Sequence, residues 1–577
     1  MRTRRSRARI SIVVVLIFAI VATFTSRLVD IQLVQASELN EQSLSKRAQE
    51  LITYGTRGEI LDANGAVLAA SVERYDIEAS PRNALTRSDA LTSVPEAVGK
   101  IAAITGQDPA ALIAVLSADP ESDFAYLAKG VTYDQFVAVR ELDIPWVYYG
   151  VRPSRTYPNG AVAGNLVGFI GTDGPQAGLE LSEDECLAST NGSAIYEKGE
   201  DGVQLPGSLV TTIEPKNGGS LSLSIDRDLQ FYVQQRMAQT YSSLGAEWVT
   251  AVVMRVKDGH LMAVADYPSV DPNDVDGVPN TALGSRAFSW AYEPGSTMKA
   301  IAAASLLDAG VATQTTPVTA PGRLYLSDGG FIKDSFAHDD LHYTLTGALT
   351  FSSNTAMSLL SELMPAQQRY EYFTEFGFNS ETEVSFNGES EGLVHPAENW
   401  DERTNYAVQF GQGLSVTSVQ MASAYQTLAN GGVRMPVTLV TGCTLPDGTT
   451  TQLPSTEGKR VVSEQAADQT VEMLEKVVTE GWASSDLTIP GYRMGAKSGT
   501  AEVAENGVYG DKAVISFAGM APADDPQYVV VVTAGIPSSI YSSGDIATTF
   551  HDVMAQTLTQ FRVTPSTVPS PDIPLTW

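Results

Sequence analysis

Ser296-Thr297-Met298-Lys299, Ser352-Ser353-Asn354 and Lys497-Ser498-Gly499-Thr500 stand in that order along the chain. A serine hydroxyl is a poor nucleophile until a neighbouring base takes its proton. A lysine can be that base only when desolvation or a nearby cation lowers its pKa. Ser296 and Lys299, three residues apart, share one face of a helix, and Lys497 is the obvious second cation. Together these residue types can run acyl transfer through a serine ester.

Each motif alone is weak. Ser43-Leu44-Ser45-Lys46 repeats S-x-x-K, Ser189-Thr190-Asn191 and Ser385-Phe386-Asn387 repeat S-x-N, and only K-[ST]-G occurs once. The Ser296 copy is set apart by its surroundings. Tyr292-Glu293-Pro294-Gly295 brings a chain-turning pair before it, and the run from Met298 to Leu307 is nearly all apolar, closing at Asp308-Ala309-Gly310 with glycine as a helix stop. A helix apolar on every side is a buried one. For the Ser43 copy, a helix cap with a solvated lysine is the better reading.

The elements that must hold these groups follow from pattern. Leu221 to Ile225, followed by Asp226-Arg227-Asp228 and Gln230, reads as a strand leading into a helix. Trp248 to Val256 and Leu261 to Ala265 are apolar strands around an Asp258-Gly259 hairpin turn. Val514 to Gly519 and Tyr528 to Thr533 flank a Pro/Asp-rich turn near the other end. Strands at both ends with helices between them predict an α+β domain over residues 218–561, its one antiparallel sheet drawn from distant segments. Lys497-Ser498-Gly499 is expected on a strand beside the Ser296 helix, with Gly499 letting a substrate approach the backbone. Residues 45–215 mix short strands with small helices and carry no catalytic constellation. The tail 562–577, with Pro565, Pro569, Pro571 and Pro574, reads as extended and unpacked.

With these motifs the chain resembles the class B penicillin-binding proteins, the monofunctional peptidoglycan D,D-transpeptidases, and most of all their division-specific FtsI-type subgroup. Besides the three motifs, the resemblance rests on Arg57-Gly58-Glu59-Ile60-Leu61-Asp62 with Asn64-Gly65, Arg155-Thr156-Tyr157-Pro158, Gly178-Leu179-Glu180, Gly411-Gln412-Gly413 and Asn430-Gly431-Gly432. Ala63 stands where the family usually has an arginine, and Leu181 to Pro206 departs from its usual wording.

The resemblance implies a penicilloyl-serine transferase (β-lactamase-like) catalytic fold over 218–561 behind a mixed α/β pedestal, or dimerisation module, over 45–215. Ser296 would attack the penultimate D-Ala carbonyl of a D-Ala-D-Ala stem peptide, with Lys299 as general base. Ser352 would relay the proton to the departing D-Ala, and Asn354 would hold the peptide amide and orient Lys299. Lys497, Ser498 and Thr500 would bind the terminal carboxylate. The backbone N–H groups of Ser296 and Thr500 would hold the oxyanion, where one donor is typically worth about 2.7–4 kcal/mol. β-Lactams would label Ser296, and no metal or organic cofactor would be needed. Nascent glycan would come from a glycosyltransferase of the shape, elongation, division and sporulation (SEDS) family, FtsW-like, working with other division proteins; the pedestal leaves room for a homodimer.

The N-terminus carries the membrane signal. Arg2, Arg4, Arg5, Arg7 and Arg9 precede an apolar run from Ile10 to about Thr25, slightly short of the roughly 20 residues a spanning helix needs. The segment Leu28 to Val34 extends it, giving a single transmembrane helix over 10–30 after a cytoplasmic basic stretch, 1–9. A cleaved signal peptide is the rival, but no clear A-x-A site follows. Arginines ahead of the span put the N-terminus in the cytoplasm and the rest outside. The net charge of -30 argues against a nucleic-acid binder, which needs basic surface, and suits a solvated ectodomain. Two cysteines, Cys186 and Cys443, are too few for a disulfide scaffold; they could pair outside the cell, but sequence separation says nothing of distance, and they are read as unpaired.

Two other features compete for function. His338-Asp339-Asp340-Leu341-His342 places two imidazoles four apart, a metal-binding spacing only if helical and supplied with a third ligand; a polar lip before the Ser352 motif is the better reading. Glu183-Asp184-Glu185-Cys186-Leu187 faintly echoes the acidic motif of a glycosyltransferase but lies too late in the chain, and a solvated loop accounts for it. The alternatives to a crosslinking division enzyme are an elongation-type transpeptidase, a serine D,D-carboxypeptidase or β-lactamase-like hydrolase, and a non-catalytic β-lactam sensor or scaffold.

Overall fold

The computed structural model describes residues 2–39, 48–86, 93–197, 206–505, 508–536 and 542–577. Ser43 and its S-x-x-K copy lie outside the described residues. The chain forms two units, residues 1–56 with 189–217, and residues 57–188 with 218–577.

In the first unit the arginine-led apolar run is helical. Helix α1 (Arg2–Val29) passes into one π-helical turn at Asp30–Val34. Within the 28-residue stretch Arg7–Val34 the most apolar window has a mean hydropathy of 2.5, and none of it is buried. The 28 residues of the stretch exceed the roughly 20 that cross the hydrocarbon, so the helix is compatible with a single-pass membrane anchor. The same unit holds a three-stranded antiparallel sheet of Ala48–Thr53, Gly192–Glu197 and Val210–Ile213.

The second unit begins with the family-like landmarks, and it brings them to one point. Glu180 is fully buried; its carboxylate takes Arg57 Nε at 2.7 Å and Arg155 Nε at 2.6 Å. Arg57 also reaches Asp184 at 2.5 Å. Two guanidiniums on one buried carboxylate are charge-assisted bonds that hold three distant segments together. Beyond them, strand β1 (Val67–Ala79) pairs antiparallel with β2 (Ala125–Val131) and β3 (Val147–Thr156). Helices Val94–Thr105, Pro109–Ala118 and Tyr133–Arg140 join this sheet around a core of Ile77, Val98, Ile101, Leu116 and Trp146.

Helix α2 (Arg227–Leu244) is capped by Asp226, whose side chain accepts from the N–H groups of Asp228 and Leu229. Strands β4 (Trp248–Arg255) and β5 (Leu261–Tyr267) form the hairpin around Asp258-Gly259. Next come α3 (Met298–Asp308), β6 (Pro317–Ala320), β7 (Arg323–Tyr325), β8 (Phe331–Lys333), β9 (Leu341–Thr344), α4 (Leu345–Thr350), α5 (Asn354–Ser361), α6 (Ser418–Ala429) and α7 (Glu464–Glu480). Strands β10 (Gly495–Glu505), β11 (Val508–Ala521) and β12 (Tyr528–Ile536) and helix α8 (Ala547–Gln560) close the domain. The five-stranded sheet runs β5-β4-β12-β11-β10, antiparallel throughout. Strand β12 is buried at every residue, which fits its unbroken apolar run between two packed faces. One face covers α2 and α8, the other the cluster around α3, α6 and α7.

Two expectations are corrected here. Cys186 and Cys443 form a disulfide, with Cα atoms 6.1 Å apart across a sequence separation of 257. The strand Ser220–Leu223 brings them together: Leu221 is in register with Cys443, and Gly219 N–H donates to the carbonyl of Cys186. The Pro-rich tail is also packed. Ile573 is buried, and Thr576 bridges to Tyr343 on β9. Proline kept the tail out of regular strands without keeping it off the domain.

Candidate active site

Ser296 sits on a 3₁₀ turn, Gly295–Thr297, that runs into α3. The turn is pressed between backbones. Gly295 has φ +57° and a Cβ there would meet the carbonyl of Thr500 at 2.7 Å. Its N–H donates to Gly411 O at 3.0 Å, which gives the Gly411-Gln412-Gly413 landmark its role. Gly499 on β10 is equally constrained: a Cβ would stand 2.5 Å from Pro294 O. Gly499 therefore lets the strand approach the turn before Ser296, where the sequence had suggested room for a substrate. The Tyr425 hydroxyl on α6 donates to Thr297 O at 2.9 Å. Ser296 itself is half-buried, and its hydroxyl has no hydrogen-bond partner among the described residues.

Lys299, one turn on, is fully buried by the apolar helix that carries it. Its Nζ reaches Ser352 O at 2.5 Å, Asn354 Oδ1 at 2.7 Å and Ser352 Oγ at 3.2 Å. Lys497 on β10, 1% exposed, places its Nζ 3.0 Å from the same Ser352 Oγ and 3.2 Å from Ser498 O. Burial, and then the charge of Lys497, hold Lys299 well below the ordinary lysine range. Burial alone brings Lys497 down to about 7. A neutral Lys299 still satisfies its surroundings. Its two N–H groups go to Ser352 O and Asn354 Oδ1, both pure acceptors, and its lone pair can accept from the Ser352 hydroxyl.

Ser352 is held in the left-handed region, φ +58°, a conformation that costs energy in a non-glycine residue and persists only when its neighbours insist on it. It lies between α4 and α5, with Ser352 N–H donating to Leu349 O and Ser353 N–H to Ala348 O. Asp334, just beyond β8, supplies what the sequence reading missed. Its buried Oδ1 accepts from Asn354 N–H at 2.6 Å and Thr355 N–H at 3.0 Å, capping α5. Its other oxygen faces His338 Nε2 at 3.2 Å. Asp334 is also the one charge holding the Lys299 pKa up against burial. Lying 20 residues before Asn354 in an irregular loop, it carries no periodic signal.

The paired histidines go separate ways. His338 lies in a loop against Asp334, while His342 is on β9 against the Trp577 ring, 5.1 Å between centroids. The helix that a two-histidine metal site needed is absent from this segment. A cleft of about 840 Å³ opens here, lined by Arg323, Tyr325, Lys333, Asp334, Phe336 and His338 among others. It adjoins the site through Asn354 Nδ2, which donates to Lys333 O at 3.0 Å. Ser498 is buried and Thr500 exposed on the same edge of β10.

Residues 249–555 match the penicillin binding protein transpeptidase domain, and residues 52–223 the penicillin-binding protein dimerisation domain. Penicillin-binding protein PbpB of Mycolicibacterium smegmatis is 31% identical, covering 99% of this chain and 92% of its own. Peptidoglycan D,D-transpeptidase FtsI of Escherichia coli K12 is 30% identical over 92% of this chain and 87% of its own. Among solved structures, a peptidoglycan synthetase from Bifidobacterium adolescentis superimposes with a TM-score of 0.73 at 30% identity, covering 92% of this chain and 100% of that one. Penicillin binding protein 3 from Mycobacterium tuberculosis, complexed with aztreonam, gives 0.70 at 28% identity, covering 91% of this chain and 100% of that one. With two lysines meeting at one serine, an apolar helix behind the nucleophile turn and likeness along nearly the whole chain, this chain belongs to the class B penicillin-binding proteins, the peptidoglycan D,D-transpeptidases.

Proposed function

We propose that this enzyme crosslinks peptidoglycan stem peptides at the division septum through an acyl ester on Ser296. The observation that carries the residue roles is the convergence of Lys299 and Lys497 on the Ser352 hydroxyl, 3.2 and 3.0 Å away. In the acylation half, Ser296 Oγ bonds to the penultimate D-Ala carbonyl carbon and the bond to the terminal D-Ala nitrogen breaks. The serine proton passes to Lys299, and the Ser352 hydroxyl relays it on, giving its own proton to the leaving amine as it takes one from Lys299. Charged Lys497, with Ser498 and Thr500, holds the terminal carboxylate, while Asn354 orients Lys299 and the peptide amide. In the second half an amine of a neighbouring stem peptide, entering by the cleft beside Asn354, attacks the ester and Ser296 recovers its proton.

β-Lactams, which resemble D-Ala-D-Ala, acylate the same serine and leave slowly; relatives solved with aztreonam and with ampicillin support this reading. Relatives named FtsI favour the division-type role over the elongation-type. The exposed apolar helix and its leading arginines support a single-pass anchor with a cytoplasmic N-terminus and an external catalytic domain. A SEDS-family glycosyltransferase, FtsW-like, is the partner proposed to deliver glycan.

Mass spectrometry of the protein treated with benzylpenicillin tests the reading: one adduct is expected on the peptide containing Ser296, and none in Ser296→Ala. An adduct that survives in Ser296→Ala overturns it. Replacing α1 with an unrelated span, catalytic domain untouched, tests the partner: penicillin labelling persists, while crosslinking in cells and co-purification of the glycosyltransferase are lost.

A further inference from the structure

The last five residues are bonded to the element from which Ser352 hangs. Thr344, the N-cap of α4, accepts from Gly347 N–H on its own helix. It also donates outward twice, from Oγ1 to Pro574 O at 2.7 Å and from its N–H to Leu575 O at 3.0 Å. Thr576 bridges antiparallel to Tyr343, and Trp577 Nε1 donates to Val318 O on β6 at 3.2 Å. Contact continues onto α4 itself, where a Cβ on Gly347 would stand 1.9 Å from Leu575 O. Upstream, the tail is pinned at Ser566, whose Oγ donates to Asp524 at 2.6 Å and whose N–H donates to Gly491 O.

Helix α4 has only six residues, all buried, and the Ser352 turn is suspended from its last carbonyls. A serine at φ +58° needs over-determined surroundings. The β9-α4 corner is where the chain can supply them.

We infer that residues 573–577 are a positioning strap that holds the β9-α4 corner and thereby sets the Ser352 hydroxyl between Lys299 and Lys497. The inference rests on the serine acylation chemistry proposed above. These residues do not touch substrate; they act through Ser352.

The test compares the full chain, a chain ended at Pro571, and full-length Ile573→Asp, which lifts the strap by burying a charge without shortening the protein. Benzylpenicillin acylation is resolved into its binding constant and its acylation rate constant, beside thermal unfolding. In both variants the rate constant should fall by about ten- to a hundredfold, the scale for a catalytic group displaced by an ångström or less. The binding constant should change less than about twofold, because Lys497 and Ser498 stay on β10 and uniform binding is unaffected. The synthetic peptide Asp572–Trp577, added to the shortened chain, should recover part of the rate. A shortened chain that acylates as fast as the full one overturns the strap. So does a loss that only follows the folded fraction, which would make the segment a matter of stability. If the full chain itself is not labelled at Ser296, the acylation reading fails, and the strap falls with it for that separate reason.

Discussion

Lys299 and Lys497, which arise 198 residues apart in sequence, meet at a single oxygen, the Ser352 hydroxyl. Two buried ammonium groups on one oxygen repel, so the site favours a state with one of them neutral. The one with the stronger downward push, from burial and from its neighbour's charge, is Lys299. This asymmetry suits the proposed roles, Lys299 as base and Lys497 as carboxylate anchor.

The acylation rate should therefore be bell-shaped in pH. On the acid side it rises as Lys299 loses its proton and becomes a base. On the alkaline side it falls as Lys497, brought down to about 7, loses the charge that holds the substrate carboxylate. Because the groups are coupled, the apparent values belong to the pair. Stopped-flow acylation across pH 5 to 10 checks this; a rate still climbing at pH 9 would remove Lys497 from the anchoring role.

Lys497→Met should trade activity for stability. A buried lysine whose folded pKa is depressed must release a proton on folding wherever the unfolded chain would hold it. Between about 7 and the ordinary 10.5, the unfolded state binds more protons, so wild-type stability rises with pH across that window. Methionine removes this term, so the variant's advantage should be greatest near pH 7, on the order of a few kcal/mol, and shrink toward pH 10. Denaturant unfolding of both proteins at several pH values measures the difference.

Asp334→Ala should disable the site without touching a motif. It removes the acceptor for Asn354 N–H and Thr355 N–H, a helix-cap loss of about 0.5–2 kcal/mol. It also frees the Ser352–Asn354 turn to move. Acylation is expected to drop at least about tenfold while Asp334→Asn, which keeps an acceptor oxygen, retains most of it. Equal activity of the two variants would make the charge, and not the cap, the important property.

Glu180→Ala tests the opposite kind of residue. It leaves Arg155 buried without its carboxylate and Arg57 with Asp184 alone, and breaking a buried pair costs about 3–5 kcal/mol. Urea unfolding should show that loss, yet penicillin acylation per folded molecule should stay at the wild-type value.

What was legible in the sequence was local. Ser296 and Lys299 are three residues apart, the helix behind them is apolar without a break, and Lys497 to Thr500 lies in a strand-like run. What was illegible depends on contacts made at long range. Asp334 looks like any loop acid until α5 starts above it. Thr344 and Leu575 are 231 residues apart, and four prolines in the tail pointed to an unpacked chain. Gly499 was noticed for close backbone approach, but that Pro294 lies across from it depends on contacts the sequence does not carry.

The Cys186–Cys443 bond sets a calendar for the making of the protein. In a chain exported as proposed, Cys186 emerges first and then waits for the 257 residues that separate it from its partner, roughly 10–50 s at ordinary rates of synthesis. During that wait it is the only thiol outside, since the chain has two cysteines in all, so no rival pairing within the chain exists. Ser296 and Ser352 are already out when the bond can close, and Lys497 is not. An oxidant that acts within seconds of the arrival of Cys443 can thus tie Cys186 to the strand beside Leu221 before Lys497 is out, so that the sheet carrying β10 is completed on a frame already locked.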